Sequence, residues 1–473
     1  MAISVALATL GCKVNQAESE ELRRELEARG YLVTEATEGA QVYVINTCTV
    51  THIADRKSRN LVQRACRANP QARVLVTGCY AQRGPQELAA SPQVRVAPKG
   101  TAEDLARQVE GLALRESRVE SRESGYEGGS RVTGHGWAPA SPWTLDPGPW
   151  TLDPYHDPTP WTLNPAPPRR SRALVKAQDG CDQHCTYCAV PLARGRSRSL
   201  PGDDVVRRVE GAVAAGCREV VLTGVNLTYY GQEWGASLGE LLDRVLDGGP
   251  ERLRLSSLQP QAISDSLLLR WRDGRLCRHF HLAIQSGSDA VLRRMGRRYS
   301  VVEYRAAVER IRRAVPGASI TTDVMVGFPG ETQEEFEESY NFCRDTGFAR
   351  MHVFQYSSRP GTAAARLTGA VPARVKAARS QRMLALSSEA ARAFREAFLG
   401  SAVGVLFEET VKGRPGLWRG FTDNYLEVYV ESERPLANQL LPVKLQALSG
   451  DIIWGSLEQD GGQTDSVLET ESV

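Results

Sequence analysis

The stretch Ala173-Leu-Val-Lys-Ala-Gln178-Asp-Gly-Cys181-Asp-Gln-His-Cys185-Thr-Tyr-Cys188 decides the reading of this chain. Its first five residues form a short strand-prone run, and the glycine-bearing turn after them delivers a C-x3-C-x2-C loop straight off the strand. Three thiolates in one tight loop can ligate three irons of a four-iron cluster, and the missing fourth protein ligand leaves one iron open to substrate. Zinc is the alternative reading. It favours four ligands at paired C-x2-C spacing, and His184 sits awkwardly inside the run to serve as one of them.

Downstream, residues 172–358 contain six strand-like runs: Ala173–Ala177, Glu219–Thr223, Arg252–Ser256, His279–Ile284, Ser319–Val326 and Met351–Tyr356. Helical stretches near 203–216, 237–248, 264–273, 288–315 and 332–346 separate them. Six β/α units in series imply a parallel sheet curved into a partial (β/α)6 barrel, with the site built by loops at the strand carboxyl ends.

Upstream, Ile3–Leu10, Gln41–Asn46, Arg73–Thr77 and Val94–Ala97 read as strands between helical stretches at Gln16–Gly30, His52–Asn69 and Gln82–Ala90, a small α/β domain with a parallel sheet. Cys12, Cys48 and Cys79 each fall just past one of these strands. Carboxyl ends of parallel strands share a crevice, so three thiols remote in sequence can converge there on a second cluster. Cys66, Cys217, Cys277 and Cys343 follow no such pattern and read as packing residues.

The whole chain is thus an α/β multidomain protein. The N-terminal α/β domain spans 1–115, a Pro/Trp-rich linker 116–170, the partial barrel 171–398, a small antiparallel β-barrel 399–457 and a disordered tail 458–473. The linker repeats one phrase, Pro142-Trp-Thr-Leu-Asp-Pro147, Pro149-Trp-Thr-Leu-Asp-Pro154 and Pro160-Trp-Thr-Leu-Asn-Pro165, whose proline density blocks helix and sheet ladders. The last barrel reads from strands Val403–Glu408, Tyr425–Val430 and Leu441–Leu448, the size of OB-like nucleic-acid modules.

Composition sets bounds. Of 473 residues, 41% are hydrophobic and 24% charged, enough for two or three cores. Lys plus Arg at 58 against Asp plus Glu at 56 gives no global attraction to a polyanion, so a nucleic-acid surface must be a local patch. No export signal and no bilayer-length apolar run is evident, which implies a soluble cytoplasmic protein without a membrane partner. Ten cysteines in such a compartment are metal ligands or reactive thiols rather than a disulfide framework.

The triad, its place after the first barrel strand and the motifs beyond it resemble the radical-SAM enzymes, which use S-adenosylmethionine (SAM). Two cysteine triads in this order, with Gly11-Cys12-Lys-Val-Asn-Gln-Ala-Glu-Ser19 and Asn46-Thr-Cys48-Thr-Val50 around the first, resemble the methylthiotransferase family. Gln178-Asp-Gly-Cys181, Ala193-Arg-Gly-Arg-Ser197, Gln285-Ser-Gly-Ser288 and Gly327-Phe-Pro-Gly-Glu-Thr332 support this, and the wording is most similar to the MtaB branch. The resemblance implies two 4Fe-4S clusters, on Cys181, Cys185 and Cys188 and on Cys12, Cys48 and Cys79, with SAM cleaved at the first. It also implies a C-terminal TRAM-like RNA-binding module.

Within this resemblance Tyr187 is an aromatic near the SAM adenine, or else a core ring. Gly224 and Asn226 stand where many relatives carry Gly-Gly-Glu for the SAM amino group, and the missing Glu departs from that pattern. Gln285, Ser286 and Asp323, at strand ends, complete the expected cofactor contacts. Arg194 and Arg196 are the expected substrate contacts, guanidinium groups suited to phosphate or carboxylate. Arg293, Arg294, Arg297 and Arg298 read as a solvated face. No single catalytic side chain stands out.

The implied reaction adds a methylthio group at carbon 2 of N6-threonylcarbamoyladenosine beside the anticodon. The implied partners are the tRNA anticodon loop and a reductase or flavodoxin-type electron donor; the sulfur donor is not given by the sequence. Rival readings are methylthiolation of isopentenyl-adenosine tRNA or of a ribosomal-protein Asp, and a non-catalytic zinc-stabilised RNA-binding protein.

Overall fold

The computed structural model describes residues 3–34, 39–89, 91–123 and 171–458. The Trp-Thr-Leu-Asp-Pro repeats and the C-terminal tail lie outside the described residues. By contacts the chain forms two compact units; Leu10–Glu20 and Cys48–Arg56 group with the second, which otherwise runs from Pro168 onward.

In the first unit β1 (Ser4–Thr9), β2 (Leu32–Thr34), β3 (Val42–Thr47), β4 (Arg73–Gly78) and β5 (Val94–Val96) form a sheet in the order β2-β1-β3-β4-β5. Every pairing is parallel, as the alternating pattern implies. β3 is buried along its whole length, which explains its unbroken apolar run Val-Tyr-Val-Ile. The helix Ala102–Glu123 carries regular structure past residue 115.

The second unit begins with β6 (Arg172–Lys176), which pairs with β9 (Glu219–Thr223) after the short hairpin of β7 (Gln178–Asp179) and β8 (Arg198–Ser199). β10 (Arg252–Leu255) extends this sheet; β11 (Ser257–Leu258), one residue on, starts the next, followed by β12 (His279–Leu282), β13 (Ser319–Val326) and β14 (Arg350–Gln355). All pairings between barrel strands are parallel, giving six strand positions with the third broken at Ser256. Three barrel helices begin with reciprocal capping boxes, Ser237 with Glu240, Ser300 with Glu303 and Thr332 with Glu335, so their starts are written locally. The expected continuous helix at 288–315 is instead two, Asp289–Arg294 and Val301–Ala314. Gly296, with φ of 71°, ends the first, and the Ser300 box starts the second.

Phe280, Leu282, Ile320, Val324 and Met351 of β12 to β14 face the helices in the main core. Their alternates His279, His281, Thr321, Asp323 and His352 are joined by side-chain contacts across strands and therefore line the opposite, inner face of the barrel.

The C-terminal strands β15 (Ala402–Thr410), β16 (Leu417–Thr422), β17 (Glu427–Glu431), β18 (Leu440–Ser449) and β19 (Ile452–Leu457) close a ring in the order β15-β16-β17-β19-β18. The barrel is mixed rather than antiparallel throughout, because β17 and β19 pair in parallel. Geometry requires this: five strands alternating in direction cannot close a ring without one parallel neighbour pair. No helix is long and apolar enough to cross a membrane among the described residues.

Candidate active site

Gln178 organises the triad loop. Fully buried, its amide nitrogen donates to the carbonyls of Asp179 and Gly180 at 2.9 and 2.8 Å and to Ser197 Oγ at 2.9 Å. Its Oε1 accepts from the Asn226 backbone N–H at 2.9 Å, tying the cysteine loop to the end of β9. Gly224 permits this approach, since a Cβ there would lie 2.9 Å from Gln178 Oε1. Gly180, with φ of 69°, is required more strictly: any Cβ would overlap the Arg196 carbonyl. Hence Gln178-Asp-Gly-Cys181 is a structural phrase that sets where the first sulfur emerges.

The three sulfurs share a polar environment. The Gln183 backbone N–H donates to Cys181 Sγ at 3.4 Å, Cys185 Sγ donates to Gln183 Oε1 at 3.6 Å, and the Val190 N–H donates to Cys188 Sγ at 3.4 Å. Gln183 is itself buried and donates to Tyr229 OH at 2.7 Å. Burial pushes the Cys188 thiol up to about 12 and raises Cys181 as well. Three soft sulfur donors carried on one short loop are a set that a thiophilic metal centre takes. Among the described residues no three His, Cys, Asp or Glu side chains enclose a common metal position.

Asn226 is buried, caps the turn that follows it by accepting from the Thr228 N–H at 3.2 Å, and interacts with the Cys181 sulfur. Its buried Nδ2 makes no hydrogen bond to a nitrogen or oxygen and faces the Cys181 sulfur. Tyr187 packs against the cluster of Val291, Met295, Phe328, Tyr356 and Ala364. Gln285 holds a left-handed backbone, φ 69°, clamped by its N–H to the Asp323 carbonyl and its carbonyl to the Met325 N–H, both at 2.8 Å. Ser286 is turned away into the helix layer, 2.7 Å from Ser339 Oγ. Asp323 on the inner face lies 3.5 Å from His281 Nε2 and 3.4 Å from His352 Nδ1. Burial works to raise its carboxyl, and the two imidazoles outweigh that, holding it well below the usual carboxylate range.

The arginines divide. Arg194, only 2% exposed, donates to Asp179 Oδ1 at 2.6 Å, to Glu18 at 3.2 Å and to Asn15. The structure thus corrects the expectation that Arg194 reaches substrate: its charge is consumed inside the protein, fixing Asp179 beside the triad. Arg196, 90% exposed and 3.4 Å from Asp182, remains open to an anion. Arg297 was missed. It lies in the break between helices, where Nη1 approaches Cys185 Sγ at 3.5 Å and Nη2 donates to the Ala283 carbonyl at 2.8 Å. The Gly296 break was the available signal, because it removes Arg297 from the solvated face of its neighbours.

In the first triad Cys12 is exposed and Cys48 and Cys79 are buried. Gly11 seats against Cys48: a Cβ on it would lie 2.8 Å from Cys48 Cβ and 3.1 Å from its sulfur. Thr47 and Gly78 are register partners at the ends of β3 and β4, each followed at once by a cysteine.

A curved parallel sheet with a three-cysteine loop off its first strand defines the class: residues 175–343 match the Radical SAM superfamily, and residues 4–97 match Uncharacterized protein family UPF0004. The chain is 35% identical over 450 residues to the threonylcarbamoyladenosine tRNA methylthiotransferase MtaB of Bacillus subtilis (strain 168), covering 93% of each. It is 32% identical over 457 residues to a tRNA-2-methylthio-N(6)-dimethylallyladenosine synthase of Cereibacter sphaeroides, covering 94% of this chain and 97% of that one. Among solved structures, the radical S-adenosylmethionine methyltransferase TsrM from Kitasatospora setae with cobalamin and a 4Fe-4S cluster matches at TM-score 0.49 and 16% identity, over 75% of this chain and 72% of that one. The chain belongs to the MtaB-like methylthiotransferases, a family of radical-SAM enzymes.

Proposed function

We propose that this enzyme adds a methylthio group to carbon 2 of N6-threonylcarbamoyladenosine beside the anticodon of tRNA. The observation that carries this reading is the likeness to MtaB, 35% identity across 93% of both chains. Cys181, Cys185 and Cys188 would hold a 4Fe-4S cluster, and Cys12, Cys48 and Cys79 a second. When bound, the first supplies the electron that splits SAM, from a reductase or flavodoxin-type donor, and the second holds the transferred sulfur. Gln178 and Arg194 set the triad loop, Asn226 offers its amide beside Cys181, and Arg297 places a cation against Cys185. Gln285 and Asp323 border the same inner face. The C-terminal ring acts as a TRAM-like RNA module, with Arg196 as a phosphate contact near the triad.

The test uses anaerobically reconstituted enzyme with two tRNAs, one carrying threonylcarbamoyl- and one isopentenyl-adenosine, read by nucleoside mass spectrometry. We expect methylthiolation of the first only. Equal activity on both sinks the substrate assignment. As controls, Cys185→Ala removes one cluster's iron and all SAM cleavage, whereas Cys48→Ala removes the other's iron and leaves some cleavage.

A further inference from the structure

The proposed substrate carries a carboxylate into a protein whose arginines near the triad are mostly committed, and the structure offers a different cation. Lys13, the residue after Cys12, places its ammonium 5.6 Å from the ring centroid of Tyr425. Among the described residues Lys13 has no hydrogen-bond or ion-pair partner. The cations around it do: Arg172 pairs with Glu408 at 2.9 Å, Arg254 with Glu219 at 2.7 Å and Arg278 with Asp423 at 2.6 Å. Arg252 donates to the carbonyls of Phe421 and Gly404 at 2.8 and 2.5 Å. Lys13 is therefore a half-buried charge whose one protein contact is a ring face.

A second observation points the same way. His279, buried, packs at a tilt against Tyr425 with ring centroids 4.9 Å apart and shares a contact with Thr321 Oγ1 through Nε2 at 3.2 Å. Its Nδ1 has no hydrogen-bond partner. A half-buried ammonium over one face of Tyr425 and a buried imidazole nitrogen without a hydrogen-bond partner beside the same ring would together suit an anion with an adjacent polar group.

The neighbouring inner face is polar. Thr321 Oγ1 also lies 3.1 Å from His281 Nδ1, His281 meets Asp323, and Asp323 meets His352, whose side chain is 42% exposed. Phe354, 37% exposed and on the same face two residues on, offers a ring at the rim. Donors and acceptors thus run from a stacking ring to a lone cation, which suits a hydroxyl- and carboxylate-bearing substituent and leaves a branched hydrocarbon one unsolvated.

Resting on the reading above, we infer that Lys13 is a specificity residue, which receives the carboxylate of the N6 substituent within the barrel while His281 and His352 line its path. The SAM methionyl carboxylate is the other source of the same chemistry, and the experiment separates the two.

Anticodon stem-loop RNAs carrying either threonylcarbamoyladenosine or its methyl ester would be assayed with wild type, Lys13→Gln and Lys13→Arg, with rates normalised to iron and SAM dependence measured for each. A charge-assisted contact of this kind corresponds to roughly a 10- to 100-fold preference of the wild type for acid over ester in kcat/KM. Lys13→Gln should bring that ratio close to one, and Lys13→Arg should retain most of it. A wild type indifferent to esterification overturns the inference without any variant. So does a Lys13→Gln enzyme that keeps the wild-type ratio, including one whose KM for SAM alone rises. A wild type that modifies neither RNA fails the substrate assignment itself, a result distinct from indifference to the ester.

Discussion

Arg297 shows how a single side chain changes meaning with one break in a helix. Read as part of an Arg-rich run it belongs in water; after Gly296 it turns inward, within 3.5 Å of Cys185 Sγ. A cation there favours the more negative state of whatever metal centre the sulfur binds. Arg297→Ala should therefore lower the reduction potential of the reconstituted triad centre, on the order of 50–100 mV for loss of one charged hydrogen bond. A potentiometric titration followed by electron paramagnetic resonance checks this, and an unchanged potential would remove Arg297 from the argument. The six cysteines proposed as ligands were singled out by their spacing and their strand positions. Arg194 was misread for the opposite reason: whether a guanidinium faces a ligand or Asp179 depends on what folds over it, and Glu18 and Asn15 come from a segment far away in sequence.

Among the elements, those with dense β-branched content or a capping box announced themselves, and the six barrel strands lie within a residue or two of their expected places. Leu32–Thr34, Leu417–Thr422 and Ile452–Leu457 were not foreseen, being short or interrupted by glycine and held by their neighbours more than by their own propensity. The strand starts reveal a second design. Arg254, fully buried, grips Glu219 on the neighbouring strand and donates to the Asp423 carbonyl of the C-terminal ring at 2.8 Å. Glu219→Gln would leave that guanidinium without a counter-charge, and loss of one partner of a buried pair costs about 3–5 kcal/mol. We expect a large fall in melting temperature with iron loss following unfolding rather than preceding it; a loss of unfolding free energy under about 1 kcal/mol would mean that water or backbone already satisfies Arg254.

For the molecule as a whole, the same layer makes stability depend on acid. Burial works to raise the carboxyls of Asp423 and Glu219, and their arginine partners outweigh it, so both are held below their usual values. Folded values below the unfolded ones mean that the stabilisation is present above the ordinary carboxylate range, near 4, and is lost as pH falls through that range toward the folded values. Melting temperature should hold between pH 6 and 8 and drop steeply below about 4. Asp423→Asn should begin lower and show a flatter acid limb. An acid limb identical to wild type would place the titrating groups elsewhere.

The odd-membered ring has a temporal consequence for a chain made from its amino end. β19 enters between β17 and β18, so no closure is possible until Leu457 has emerged. Until then four strands stand with two unpaired borders, each a template for a neighbouring nascent chain. Yet the segment Phe421–Tyr425, which meets the buried arginines, is already synthesised. The barrel floor can therefore be seated before the ring that carries it is sealed, leaving the final hairpin to act as a latch on a joint already in place.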